Sequence, residues 1–264
     1  MGTPGASSVT QAMPDASPLL RDWQLATVAT VRDETPSVRS IAFSLPQWTG
    51  HLAGQHVDVR LTADDGYQAE RSYSIGSPSG RLELIEITVE RITDGEVSPF
   101  LTERLALGDT IELRGPLGGY FTWRPENRAP LMLIAGGSGI VPLMSMLRTR
   151  AKTVDRTPTR LLYSSRNFEE IIYRDELDSL VAINDGFSIA QTLTRGAPAN
   201  WHGETRRVDG EMLAKYTFPA ADTPDNFVCG PTSFVETVAD QLVALGHRET
   251  AIKTERFGPT GEKR

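Results

Sequence analysis

The run Pro130-Leu131-Met132-Leu133-Ile134-Ala135 constrains the fold more than any other stretch of the chain. An unbroken apolar segment this short suits a strand buried on both faces, as in a parallel sheet covered by helices. It feeds directly into Gly136-Gly137-Ser138-Gly139 and then a helical segment from Val141 to about Lys152. Strand, glycine loop and helix N-terminus together can cradle a pyrophosphate, because free main-chain N–H groups and the helix dipole face the same point. The spacing departs from Gly-x-Gly-x-x-Gly, since Pro142 stands where the third glycine would fall.

The rest of the second half keeps the alternation. A strand over Arg160–Ser164 ends in Ser165-Arg166, and a helix is expected over Glu169–Leu180. A strand over Phe187–Leu193 ends in Thr194-Arg195. Another, Asn226–Cys229, runs into Gly230-Pro231. Val235, Val238, Leu242 and Leu245 mark one face of a further helix, with Gly246 as its stop. Ile252–Glu255 reads as the last strand and leaves Phe257-Gly258-Pro259 near the same edge. This pattern predicts a doubly wound parallel sheet with ligands at the carboxyl ends of its strands. Arg166 and Arg195 sit at such ends, where arginine suits an adenosine 2′-phosphate or simply faces water. Arg206 and Arg207 stand behind them as candidates. Cys229 is either a small buried hydrophobe or a site residue at the sheet edge.

The first half is β-rich. Leu25–Val31, Ser37–Leu45, His56–Thr62, Leu82–Val89 and Thr110–Leu113 read as short strands, with glycines between them, and predict an antiparallel Greek-key barrel. Within it lies Arg71-Ser72-Tyr73-Ser74. In extended backbone Arg71 and Tyr73 share one face, Ser72 and Ser74 the other. A guanidinium beside an aromatic plate suits a ligand with a phosphate and a planar ring, or is an ordinary half-buried strand with a surface arginine. Ser98 reads as an N-cap, with Pro99 next and Phe100, Leu101 and Leu105 as an apolar stripe. Gly95-Glu96-Val97-Ser98 is then a capped surface helix or half of a diphosphate cradle. Gly115 to Phe121 reads as a tight turn closing the domain, and Asn127 to Pro130 as a linker. The expected organisation is a disordered tail over 1–20, a β-barrel domain over 21–125 and an α/β domain over 130–264.

Composition narrows the function. A single cysteine among 264 residues excludes a disulfide framework and a four-cysteine iron–sulfur or zinc site, and no metal is expected. A net charge of −7 argues against nucleic acid or an anionic membrane as partner. With no signal-peptide core and no apolar run of spanning length, the expected location is the cytoplasm. Arg148, Arg150, Lys152, Arg156 and Arg160 form either a local basic patch for an acidic carrier or a solvated helix face.

Taken in order, Arg71-x-Tyr73-Ser74, Gly95–Ser98, Gly136 to Pro142, Cys229-Gly230-Pro231 and Glu255-x-Phe257 resemble the ferredoxin–NADP(+) reductase superfamily, from about Trp23 to Pro259. The resemblance implies FAD and a pyridine nucleotide, and Thr194-Arg195 tilts the choice to NADPH, with NADH possible. It implies that Arg71 holds the FAD diphosphate, Tyr73 packs on the isoalloxazine and Ser74 approaches its N5. Ser72, Thr88, Val89, Gly95, Val97 and Ser98 would line the rest of FAD. Gly137, Ser138, Gly139, Ile140, Pro142, Gly230 and Pro231 would hold the pyridine nucleotide, with the strand-end residues Ser165, Arg166, Thr194 and Arg195 as further candidates by position. Cys229 and Glu255 would position the nicotinamide, and Phe257 would cover the flavin until nicotinamide displaces it. Unlike plant-type members, seven residues follow Phe257 here. The implied activity is hydride transfer from NADPH to flavin, then electron release to a ferredoxin, flavodoxin or oxygenase partner. A flavin reductase or diaphorase and an electron-transfer subunit are the alternatives. Oligomeric state is not implied.

Overall fold

The computed structural model describes residues 22–153 and 157–258. The expected tail, Arg156 and the residues after Gly258 lie outside the described residues. Strands β1 (Gln24–Thr35), β2 (Val38–Ser44), β3 (His56–Thr62), β4 (Gln68–Ser74), β5 (Leu84–Glu90) and β6 (Thr110–Leu117) form one six-stranded sheet in the order β4-β3-β6-β1-β2-β5. All its ladders are antiparallel. Because β6 inserts between β1 and β3, the connectivity is that of a Greek key. A bridge from Ile75 to Ile87 joins the outer strands and closes the sheet into a barrel. Its interior is lined by Val57 and Val59 of β3, Ile85, Ile87 and Val89 of β5, and Ile111 and Leu113 of β6.

The second half contains β7 (Leu131–Gly136), α1 (Ile140–Ala151), β8 (Thr159–Ser165), α2 (Arg174–Ala182), β9 (Phe187–Leu193), α3 (Gly210–Tyr216), β10 (Asp225–Pro231), α4 (Thr232–Ala244) and β11 (Ile252–Phe257). Its five strands run parallel in the order β11-β10-β7-β8-β9. The side chains of β7 alternate as period two requires. Leu131, Leu133 and Ala135 pack with Leu143 and Leu147 of α1 and Leu177 of α2. Met132 and Ile134 pack with Met212 and Leu213 of α3 and with Val235, Val238 and Leu242 of α4. The apolar run is continuous because both faces of β7 are covered. Strand order reverses between β7 and β10, which opens a crevice at their carboxyl ends.

Several expectations change. Gly115-Pro116-Leu117 continues β6 instead of turning, because His56 of β3 pairs with Leu117, and the chain turns at Gly118 (φ 83°). Ser98 does not cap a regular helix. Its hydroxyl takes the N–H of Ile92 at 3.0 Å, and the following residues, Phe100–Arg104, form a short π-helix. The helix expected over Glu169–Leu180 is split. Asn167 caps a short turn at Phe168–Glu170, Tyr173 adopts a left-handed φ of 59°, and α2 begins at Arg174. The sequence pattern did not suggest α3.

The described arginines of the basic cluster, Arg148, Arg150 and Arg160, are structural. Arg148 donates to Glu86 and Glu176 and to the Gly76 carbonyl. Arg150, 3% exposed, bonds Asp185 and the Thr157 carbonyl. Arg160 donates to the Thr217 carbonyl and lies over the Phe218 ring. Only Lys152 of the described members is exposed, so among the described residues the cluster forms neither a basic patch nor a solvated face.

The seam between the two halves is built on one strand. While Ile85, Ile87 and Val89 fill the barrel, Glu86, Thr88 and Glu90 point the other way. Glu86 meets Arg148 at 2.6 Å, Thr88 meets the Tyr173 hydroxyl, and Glu90 meets the Ser138 hydroxyl at 2.7 Å. Ser145 adds a bond to the Ser77 carbonyl, and Thr149 accepts the Ser79 N–H. Apolar contacts reinforce it, with Ala53, Phe121 and Trp123 joining the cluster on the α1 face of the parallel sheet.

Candidate functional site

A cleft of about 330 Å³ lies at the carboxyl ends of β7 to β10, lined by Gly137, Ser138, Ser165, Arg166, Thr194, Arg195, Pro231 and Phe257. The sequence named each of these. Gly137 has φ +56° with open space where a side chain would stand, so its main chain faces the cleft. Thr194 and Arg195 are held there by hydrogen bonds from their N–H groups to the carbonyls of Ser165 and Arg166. Two arginines beside a glycine loop give the cleft a positive wall suited to phosphates.

Other named residues shape the cleft from beneath. A Cβ on Gly139 would fall 2.2 Å from the Cys229 carbonyl oxygen, so this glycine lets the start of α1 touch β10. Gly230 plays the same part against Phe234 and Gly136. Ile140 and Pro142 are buried, and their side chains serve packing. Cys229 is 2% exposed. Burial, with the Glu255 charge adding to it, holds its thiol well above the usual range, so it stays protonated.

Parallel register sets Cys229 opposite Glu255 and Pro231 opposite Phe257. Burial pushes the Glu255 carboxyl up to about 7, and its Oε2 is buried without a hydrogen-bond partner. The strand carrying both residues is tied to the barrel: Lys253 Nζ donates to the Thr122 carbonyl at 3.0 Å, and the Tyr120 hydroxyl donates to Ile252 at 3.2 Å.

The barrel contributes the second group. On β4, Arg71 and Tyr73 pair with Val59 and Val57, which point inward, so they share the inner face as expected. Ser72 is on the outer face and donates to Asp58 at 2.6 Å. Arg71 is exposed and lies 3.5 Å from Glu96, next to Gly95. Tyr73 is half-buried against the barrel core, and burial raises its phenol above the usual range. Ser74 is paired with His56. Val97 and Ser98 are buried behind this surface. The Thr88 hydroxyl is committed to Ser40 and Tyr173, and Val89 to the barrel core, so their side chains serve the seam and the core.

The residues present fit a flavin dinucleotide. An exposed guanidinium, a half-buried phenol and a hydroxyl follow one another along β4, and an unpartnered carboxyl waits across the seam on β11. Some cleft residues had no clear sequence signal. Glu90, Ser233, Phe234 and Thr237 line it, the last three from the first turns of α4. Arg207, a secondary candidate, also lines it. A parallel bridge from Thr192 to Glu204, and a bond from Thr192 to the Arg206 carbonyl, zip its segment onto β9. Long-range pairing of this kind leaves no periodic mark.

Among the described residues no group of three metal-binding side chains converges, and no helix is long and apolar enough to cross a membrane. Residues 25–122 match the oxidoreductase FAD-binding domain, and residues 133–240 the oxidoreductase NAD-binding domain. Ferredoxin–NADP reductase B of Sorangium cellulosum is 33% identical over 88% of this chain and 96% of its own. The phenol hydroxylase P5 protein of Acinetobacter pittii is 27% identical over 93% of this chain and 70% of its own. Among solved structures, the FAD/NAD-binding domain of nitric oxide dioxygenase from Vibrio cholerae superposes with a TM-score of 0.79 at 26% identity, covering 90% of this chain and 100% of that one. With both domain types matched in order, the chain belongs to the ferredoxin–NADP(+) reductase superfamily of FAD- and NAD(P)-binding oxidoreductases.

Proposed function

We propose that this reductase prefers NADPH and delivers its electrons to a separate redox protein, either a ferredoxin or flavodoxin or the oxygenase component of a two-part system. The observation that carries the nucleotide preference is the cleft, where Arg166, Arg195 and Arg207 gather beside the glycine loop. Bound FAD supplies two-electron uptake and one-electron release. In this reading Arg71 and the main chain at Gly95 to Ser98 hold the FAD diphosphate, Tyr73 braces the ring and Ser74 donates near N5. Gly137 and Ser138 take the nucleotide pyrophosphate, and Arg195 with Arg207 takes the 2′-phosphate. Cys229 presents a neutral thiol and Glu255 a half-protonated carboxyl to the nicotinamide, while Phe257 screens the ring from water.

Names of relatives support both acceptor types, a ferredoxin and a phenol hydroxylase. Anaerobic stopped-flow reduction with NADPH and NADH side by side tests the reading. Arg195→Ala should raise the NADPH Michaelis constant by about tenfold or more, roughly the loss of one charge-assisted pair, and leave NADH nearly unchanged. Equal effects on both nucleotides would defeat the 2′-phosphate assignment.

A further inference from the structure

Three outward residues of β5, Glu86, Thr88 and Glu90, meet the α/β half, and the last reaches the cleft itself. Glu90 Oε2 accepts the Ser138 hydroxyl at 2.7 Å, and both line the cleft beside Gly137. A carboxylate is an unexpected neighbour for a loop whose donors suit a pyrophosphate, because the same donors satisfy either anion and the two anions repel. The other acid at the cleft, Glu170, is within 3.9 Å of Arg166. Glu90 has no cationic partner among the described residues. Its direction is fixed, because turning it inward would put a charge among Ile85, Ile87 and Val89.

We propose that Glu90 is an internal competitor for the pyrophosphate, and that it sets how tightly pyridine nucleotide is held and how quickly the oxidised product leaves. The inference rests on the pyridine-nucleotide reading of the cleft. For a pyrophosphate to take the Ser138 hydroxyl, that hydroxyl must turn away from Glu90, and the carboxylate then stands beside a second anion. The penalty falls equally on the bound ground state and the transition state, so it changes dissociation constants and product release but not the hydride-transfer step.

Glu90→Gln keeps an acceptor for Ser138 and removes the charge. The flavin-loaded protein is titrated with NADP+ and, separately, NAD+, read by the flavin difference spectrum. At low ionic strength the variant should bind about fivefold more tightly, and screening should shrink that advantage toward unity at about 1 M salt. Single-turnover flavin reduction at saturating nucleotide should keep its rate constant, and product dissociation should slow in proportion to the gain in affinity. Glu90→Ala, which also removes the charge, should shift affinity in the same direction. Unchanged affinity at low salt, or a gain that salt leaves intact, overturns the proposal. Wild-type protein that binds neither nucleotide overturns the reading of the cleft as well, whereas wild-type binding matched by both variants overturns the competitor alone.

Discussion

Glu255 shows how much one side chain's surroundings decide. Its carboxyl titrates near 7 in the fold against an ordinary 4.5, and burial is the cause. Between those values the folded protein binds more protons than the unfolded chain, so stability falls as pH rises from about 4.5 to about 7 and the cost is complete above that. Glu255→Gln should abolish this slope in urea unfolding of the flavin-loaded protein and gain up to about 3 kcal/mol at pH 8. A smaller effect belongs to Tyr173. Tyr173→Phe leaves the buried Thr88 hydroxyl with Ser40 alone and should cost about 1 kcal/mol in the same measurement.

At the scale of the element, the glycine loop before α1 contains two glycines with different reasons. Gly139 has the Cys229 carbonyl 2.2 Å from any added Cβ, and main-chain atoms have no way to yield. Gly139→Ala should destabilise by about 3 kcal/mol or more, or block folding, since α1 would have to move off β10. Gly137→Ala meets open space and carries only the left-handed penalty of about 1–2 kcal/mol. Urea midpoints of the two variants should therefore fall in that order. Phosphate affinity should suffer at Gly137, where the main chain faces the cleft. The sequence shows three glycines in one loop, and only the packed helix assigns Gly139 to packing and leaves Gly137 open to the cleft.

For the whole molecule, the question is what couples the two halves across their seam. Arg148 answers most of it, joining Glu86 and the Gly76 carbonyl of the barrel to Glu176 of α2, with its guanidinium over the Tyr173 ring. Arg148→Met should cost about 3 kcal/mol, because it leaves the largely covered Glu86 without its cation. In calorimetry the wild type should unfold in one transition, and the variant's should broaden or divide as the barrel and the parallel sheet uncouple. Arg150→Met is the control. Arg150 is bound to Asp185 and Thr157 within the α/β half, so that variant should lower the melting temperature without dividing the transition.

The sequence by itself determined the two sheets, because their marks are local. Short β-rich runs punctuated by glycines identified the barrel strands, and an unbroken apolar run identified β7, since hydrophobic burial acts on every residue of a strand covered on both faces. It also marked Arg71, Tyr73 and Ser74, the loop Gly136 to Gly139 and the strand-end residues Arg166 and Arg195, because each lies at the end or edge of an element with such a pattern. Tertiary structure alone decided the rest. The sequence left Arg148, Arg150 and Arg160 as either a basic patch or a solvated face, but burial against acids and carbonyls made them structural. Ser98 read as a cap until Ile92 claimed its hydroxyl. Glu90 carried no signal at all, because its meaning comes from a contact with Ser138 across 48 residues of chain. Local periodicity reports which face of a strand is buried, and it cannot report what a polar group on the other face will meet.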